Sequence, residues 1–143
     1  MKINLILMIA ALLAAGAALT GCGSGKNDNA PSQVPQVTAA DEMAARIRLL
    51  SLAQAEQRYQ AESGGEYGSL DQLKEKGYWT DPSGGQLNRY RFEVGLRPHG
   101  FEATAVPEKY GVTGNRSFYV DESQTLHGAD KAGAKATASD PVM

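Results

Sequence analysis

The stretch TAADEMAARIRLLSLAQAEQRYQAE, residues 38–62, decides how this chain folds. It contains neither Gly nor Pro, and the Ser63-Gly64-Gly65 sequence that follows is a typical helix stop. Its start, Thr38-Ala39-Ala40-Asp41, is typical of a capping arrangement, in which a hydroxyl and a carboxylate meet the free N–H groups of a first helical turn. The stretch therefore predicts one helix, about 37 Å long at 1.5 Å per residue.

The predicted helix carries two apolar stripes on nearly opposite sides. They consist of Met43, Ile47 and Leu50, and of Ala45, Leu49, Leu52 and Tyr59. The second stripe extends further towards the C-terminal end of the helix, nearer the rest of the domain, so we assign it to the core. A helix packed on one side of a sheet needs only one apolar stripe. The first stripe is therefore predicted to be either a contact surface for a partner or a face covered by a loop or tail of the same chain.

Downstream of the helix the pattern changes to short alternating strands. It predicts a helical turn ending at Lys76-Gly77, a loop at residues 81–85, and strands at residues 90–94, 101–105, 117–120 and 125–127. A six-residue connection containing Pro98, His99 and Gly100 joins the first two strands as a hairpin. The tail from about residue 128 is rich in Gly, Ala, Lys and Asp, so we expect it to be loosely ordered. The predicted fold class is α+β, with one long N-terminal helix packed on a small antiparallel β-meander.

Immediately upstream of the helix, residues 23–37 are mostly polar. Residues 23–37, GSGKNDNAPSQVPQV, are small, polar and interrupted by proline, without apolar periodicity. Together with Cys22 they predict a flexible tether over residues 22–37, with a reach on the order of 20 Å. Residues 38–143 are the right length for one small domain, which we call the head.

The first 21 residues are typical of an export signal. Lys2 supplies a positive start, and the uncharged apolar segment from Leu5 to Leu19 is shorter than the roughly 20 residues that a membrane-spanning helix needs. The next residues, Leu19-Thr20-Gly21-Cys22, resemble the lipobox of bacterial lipoproteins. The alternative is an ordinary signal peptide followed by an unrelated cysteine.

The lipobox resemblance makes Cys22 the lipidation site. It implies that signal residues 1–21 are removed and that Cys22, the only cysteine, becomes the first residue of the mature chain and carries acyl chains such as palmitate. Two acyl chains hold a protein stably on a membrane. Gly23 follows instead of the aspartate that commonly retains such proteins at the inner membrane. The resemblance therefore implies the cell envelope and, in a cell with two membranes, the periplasmic face of the outer membrane.

The head resembles the globular domain of type IV pilins and type II secretion pseudopilins. The motifs that carry the resemblance are the long helix ending near Tyr59, Tyr67-Gly68-Ser69-Leu70, Asp81-Pro82, Tyr90-Arg91-Phe92, residues 100–107 and residues 114–121. The resemblance implies a pilin-like headpiece whose long helix meets other proteins through its surplus side, here Met43, Ile47 and Leu50. Pilin-like heads often have Gly where this chain has Gln124, so we expect Gln124 to occupy a less demanding turn position.

No constellation of acid, base or nucleophile is visible in the sequence. His99 and His127 lack other residues at metal-ligand spacing, so each is interpreted as a solvated turn or strand-end residue. The carboxylates Asp121, Glu122, Asp130 and Asp140 lack the regular spacing of a calcium loop. We therefore expect a non-catalytic protein with no cofactor and no metal.

Charge excludes one class of partner and leaves two functions open. Removing residues 1–21 leaves 13 basic and 16 acidic residues, a formal charge of −3. Nucleic-acid-binding proteins typically carry an excess of positive charge, so nucleic acid is not an expected partner. The expected partners are the membrane, through the lipid on Cys22, and a protein. The favoured function is a lipid-anchored interaction module that is accessory to a pilus or secretion assembly. The alternative is an envelope lipoprotein that binds a small molecule or ion in a pocket lined by Tyr78, Trp79 and Tyr90.

Overall fold

A computed structural model of the chain describes residues 34–80 and 89–143, with side chains from residue 38 onward. The described residues belong to one compact unit, Ser32–Met143. Its elements are helices α1 (Val34–Glu62) and α2 (Leu70–Glu75) and strands β1 (Tyr90–Arg97), β2 (Gly100–Pro107), β3 (Arg116–Asp121) and β4 (His127–Asp130). The strands form one antiparallel sheet in the order β1-β2-β3-β4, so the predicted α+β class is confirmed.

Helix α1 begins about one turn earlier than the predicted cap at Thr38. Pro35 lies in its first turn, where the missing N–H is not needed, so this proline does not stop the helix. Thr38 is therefore inside the helix, with its side chain buried. The predicted end at Glu62 is confirmed. Gly64 and Gly65 follow it with φ of 72° and 100°, in the left-handed region that favours glycine.

The predicted core stripe of α1 is confirmed. Ala45, Leu49 and Leu52 are buried, and Tyr59 is half-buried against the same core. The helix packs mainly on β2 and β3. The strand residues in this core include Phe101, Ala103, Ala105, Phe118 and Val120. They alternate along their strands with residues on the opposite face, so α1 covers one face of the sheet.

The β1-β2 hairpin is tighter than the sequence predicted. Arg97 pairs with Gly100, so the connection is the two residues Pro98 and His99 instead of six. His99 has φ of 62°, which with a preceding proline is typical of a type II turn. The visible alternation stops near Gly95 because glycine has no side chain to continue it, but the backbone pairing goes on to the turn.

The C-terminal tail covers the face of the sheet that lies away from α1. Glu102, Thr104 and Tyr119 line a cavity of about 340 Å³ whose other wall is residues 135–139 of the tail. In the same region Lys135 Nζ donates to Glu93 Oε2 at 2.6 Å. Ala136 is only 2% exposed. The sheet therefore has α1 on one face and a strap of irregular chain on the other.

The tail also pairs with the last strand, which differs from the expected loose order. Gly128 N–H donates to Pro141 O at 2.9 Å, and Met143 N–H donates to Leu126 O at 3.0 Å. Val142 forms an antiparallel bridge with His127. These are backbone contacts, which cannot be predicted from the amino-acid composition of the tail. The fourth strand is His127–Asp130, so it overlaps the predicted residues 125–127 only at His127.

Candidate interaction surface

The surplus apolar stripe of α1 is only partly free. Met43 is 56% exposed and Ile47 is 61% exposed. Leu50 is half-buried and packs against the core cluster. Of the three predicted interface residues, two therefore lie on the surface, and the third contributes mainly to the packing of the helix. We call the exposed pair, Met43 and Ile47, the α1 patch.

The charge next to the α1 patch is positive. At 100° per residue, Arg46 lies on the same side of the helix as Met43 and Ile47. Among the described residues, Arg46 makes no ion pair. Asp41 lies nearly opposite the patch, and Glu42, about 40° from Arg46 around the helix, is hydrogen-bonded to backbone N–H groups where β3 begins. The patch is therefore apolar with a basic neighbour.

Asp41 and Glu42 fasten the beginning of α1 to the sheet. Asp41 Oδ2 lies 3.2 Å from Arg89 Nη1, just before β1. Glu42 Oε1 accepts hydrogen bonds from the N–H groups of Asn115 and Arg116, at 2.9 and 3.3 Å, where β3 begins. These contacts fix the orientation of the helix about its own axis, so Met43 and Ile47 are directed away from the sheet.

The predicted lipidation site lies outside the described residues. This applies to Cys22, to the signal segment 1–21 and to residues 22–33 of the tether. Within residues 34–80 and 89–143, neither helix is long and apolar enough to span a bilayer.

The two histidines occupy different environments. His99 is exposed in the hairpin turn, as expected for a solvated turn residue. His127 is not simply solvated, because its Nδ1 lies 2.7 Å from Asp140 O and its ring meets Tyr119 edge-on at 6.0 Å. The interpretation of His127 as a solvated residue was therefore wrong. Its contacts hold the tail against β4.

Each of the four C-terminal carboxylates has a hydrogen-bond or ion-pair partner within the head. Asp121 accepts from Ser123 N–H, Glu122 from Arg97, and Asp130 from Ala132 N–H. Asp140 accepts from Thr137 N–H and pairs with Lys131, and these two contacts lower its pKa. No group of three or more potential metal ligands occurs among the described residues.

The three aromatic residues proposed to line a ligand pocket do not converge on one. Trp79 and Tyr90 are buried and line a cavity of about 150 Å³ beside Lys74 and Glu108. Tyr78 is not part of that lining, and its hydroxyl donates to Glu62. Ligand pockets typically measure about 300 to 1,000 Å³. The cavity beside Trp79 and Tyr90 lies below that range for a small molecule, and the three aromatic residues do not form one pocket.

Two residues have roles that the sequence interpretation missed. Gln124 has φ of 61°, so the expectation of an undemanding turn position was wrong. Its Nε2 donates to Ala53 O at 3.2 Å, which ties the β3-β4 turn to α1. Glu56 is fully buried. A signal for Glu56 existed, because it follows Leu49 and Leu52 at i+7 and i+4 on the core stripe.

Comparisons with protein-family models, with curated proteins and with solved structures find no match for this chain.

Proposed function

We propose that this chain is a lipid-anchored envelope protein whose pilin-like head is a non-catalytic protein-interaction module. Cys22 holds it on the membrane, and the head makes contacts as an accessory of a pilus or secretion assembly. The proposal rests on the lipobox resemblance for the anchor and on the pilin resemblance for the class of assembly.

The observation that supports the interaction module best is the exposure of Met43 and Ile47. The opposite side of the same helix is buried on the sheet, so α1 does not need these two residues for its own packing. The tail, which was the predicted alternative cover for this stripe, lies on the other face of the sheet. Exposed apolar residues that are grouped on one element are typical of contact sites.

The size of the α1 patch indicates a transient contact. Complete burial of Met43 and Ile47 stabilises an association by roughly 1.5 to 3 kcal/mol each, before the costs of ordering are subtracted. Two such residues do not make a permanent interface by themselves. A lipid anchor that confines both partners to one membrane raises their effective concentration, so a weak contact is sufficient.

Site-specific photo-cross-linking in the native host tests the patch. A photo-reactive residue placed at exposed Gln54, on the same side of α1, should give a discrete protein adduct. The same residue placed at exposed Glu75 of α2 should give none. The double change Met43→Ser and Ile47→Ser should abolish the Gln54 adduct and leave the melting temperature of the head unchanged.

Two results would contradict the interaction module. One is equal adduct formation from positions 54 and 75. The other is an adduct from position 54 that survives the double serine change in a protein whose melting temperature is unaltered. The pair Met43 and Ile47 is used because Leu50→Ser would also remove core packing.

The anchor has a separate test. Cys22→Ser should release the protein from the membrane or leave an uncleaved precursor, because the sulfur that accepts the lipid is gone. Mass spectrometry of the mature N-terminus should find an acylated Cys22, and an unmodified chain that begins elsewhere would contradict this. Fractionation should place the protein in the outer membrane of a two-membrane cell, and recovery with the inner membrane would refute that location.

A further inference from the structure

Glu56 is a carboxylic acid enclosed by the core side of α1. Its side chain is 0% exposed. Oε2 accepts a hydrogen bond from Gly68 N–H at 2.9 Å, and Oε1 is buried with no hydrogen-bond partner among the described residues. Buried carboxyl groups are rare unless they are paired. The interaction patch on the opposite side of α1 does not use this residue.

The charged groups on the surrounding elements are occupied elsewhere or exposed. They are Arg58 paired with Glu62 on α1, Lys74 with Asp71 on α2, Arg97 with Glu122 at the sheet, and Glu66 in the connecting segment. Glu102 of β2 lies on the face of the sheet away from α1. No described cation pairs with Glu56. Burial raises its pKa to about 7, and the bond from Gly68 offsets only part of that effect.

The hydrogen bond from Gly68 to Glu56 is the side-chain contact that fastens segment 63–69 to α1. The first residues of the segment are held by backbone bonds at the helix end, from Ser63 N–H to Tyr59 O at 2.8 Å and from Gly65 N–H to Gln60 O at 2.9 Å. A Cβ at Gly68 would lie only 3.1 Å from the ring of Tyr59, so the backbone passes very close to the helix. The neighbouring Tyr67 ring packs on buried Phe101 with 5.2 Å between the ring centroids. Gly64 and Gly65, both at positive φ, form the other end of the segment. The segment therefore covers part of the core, and the two glycines at its start allow backbone conformations that other residues rarely adopt.

We propose that Glu56 is a pH-operated latch, which holds segment 63–69 against the core while its carboxyl is protonated and releases the segment when the carboxyl ionises. The neutral carboxyl leaves one hydroxyl unpaired, which costs less than an unpaired buried charge. The carboxylate has a single N–H donor and no cation, so it is stabilised only when water reaches it. Lifting segment 63–69 admits that water and uncovers the edge of Phe101.

Hydrogen–deuterium exchange of the full-length chain in detergent micelles measures how often segment 63–69 opens. Exchange is followed at pH 6.0 and pH 8.5 and corrected for the intrinsic effect of pH on amide exchange. With a carboxyl pKa of about 7 in the closed segment and 4.5 in the open one, the opening constant of segment 63–69 should rise about tenfold between these two pH values. Peptides from β2 and β3 open only with unfolding of the whole head, so at both pH values their opening constants should be far smaller than that of segment 63–69.

Two variants identify the group responsible. Glu56→Gln keeps the shape and stays neutral, so its opening constant should be the same at both pH values. Glu62→Gln changes an exposed carboxyl on the same helix and should retain the tenfold rise. The proposal is overturned if the wild-type ratio is one, if Glu56→Gln retains the rise, or if segment 63–69 has the same opening constant as β2 and β3. If Glu56→Gln fails to fold, the wild-type comparison of segment 63–69 with β2 and β3 still decides the question.

Discussion

The two faces of the sheet are covered by different kinds of contact. On one face, α1 buries a continuous apolar cluster that includes Leu49, Leu52 and Phe118. On the other, the tail is held by the Lys135–Glu93 ion pair, the His127 contact with Asp140 and the single buried methyl of Ala136. The first face is therefore held by the burial of a large apolar area, and the second by a few separate contacts.

This difference separates stability from local attachment. Burial of apolar area contributes several kcal/mol per large side chain, whereas an exposed ion pair contributes about 0 to 1 kcal/mol. Changes on the α1 face should therefore alter the free energy of unfolding of the whole head. Changes under the tail should release the tail and leave the head folded.

The largest effect is expected from the core stripe of α1. Leu49→Ala and Leu52→Ala should each lower the free energy of unfolding by about 2 to 5 kcal/mol, because both side chains are fully buried. The matched control on the same helix, Met43→Ala with Ile47→Ala, should change it by less than about 1 kcal/mol. Urea unfolding followed by circular dichroism measures both. If the Met43→Ala and Ile47→Ala control loses as much stability as Leu49→Ala or Leu52→Ala, α1 is buried on both sides.

The next effect comes from Glu56, a carboxyl that is buried within the apolar cluster between α1 and the sheet. The pKa of Glu56 in the folded head is about 7, above the 4.5 of an unperturbed carboxyl, so the folded state binds the proton more tightly. Its contribution to stability is complete below about pH 4.5 and is lost as the pH rises through 7. From pH 5 to pH 8 the loss should be roughly 2 to 3 kcal/mol.

Glu56→Gln should remove this component of the pH dependence. Urea unfolding at several pH values, in wild type and variant, gives the difference directly. Parallel pH profiles for the two proteins would show that Glu56 is not the titrating group.

A smaller effect is expected where one polar side chain joins the β3-β4 turn to α1. Gln124→Ala should destabilise the head by about 1 kcal/mol, because the bond to Ala53 O is lost and the left-handed backbone remains. Gln124→Gly loses the same bond but relieves about 1 kcal/mol of backbone strain, so its stability should be near wild type. Thermal unfolding compares the two. If Ala and Gly are equally stable at this position, the backbone is not strained.

The smallest effect on global stability is expected under the tail. Lys135→Ala removes the contact with Glu93 and should lower the free energy of unfolding by less than about 1 kcal/mol, with the loss shrinking in high salt. Hydrogen exchange should nevertheless accelerate in residues 131–143 and stay unchanged in β2. Lys74→Ala, which removes a long exposed contact with Asp71, is the control and should leave the tail unaffected. If Lys135→Ala unfolded the whole head, the contacts under the tail would contribute to global stability, and the proposed difference between the two faces would be wrong.

The α1 face was largely predictable because its signals are local. The run without Gly or Pro and the glycine stop predicted the helix and its end. The apolar residues at helical spacing then identified Ala45, Leu49 and Leu52 as core. Alternation likewise located the first three strands. In each case neighbouring residues of one regular element report which side is buried, so a short window of sequence is sufficient.

The candidate patch was only partly predictable. Periodicity placed Met43, Ile47 and Leu50 on one side of α1, but the helix also turns Leu50 towards the core. How α1 is rotated on the sheet depends on Asp41 and Glu42, whose partners lie far away in the sequence.

The sequence by itself determined the long helix, its core stripe, its end and the alternating strands, because those depend on local periodicity and backbone preference. Only the tertiary structure decided the packing of the tail, the left-handed turn at Gln124 and the pKa of Glu56. Each of these depends on what distant segments place beside the residue: Pro141 beside Gly128, Ala53 beside Gln124, and the packed core that buries Glu56 and so raises its pKa. Burial and hydrogen bonding between distant segments are set by how elements pack, and no local pattern of residues encodes them.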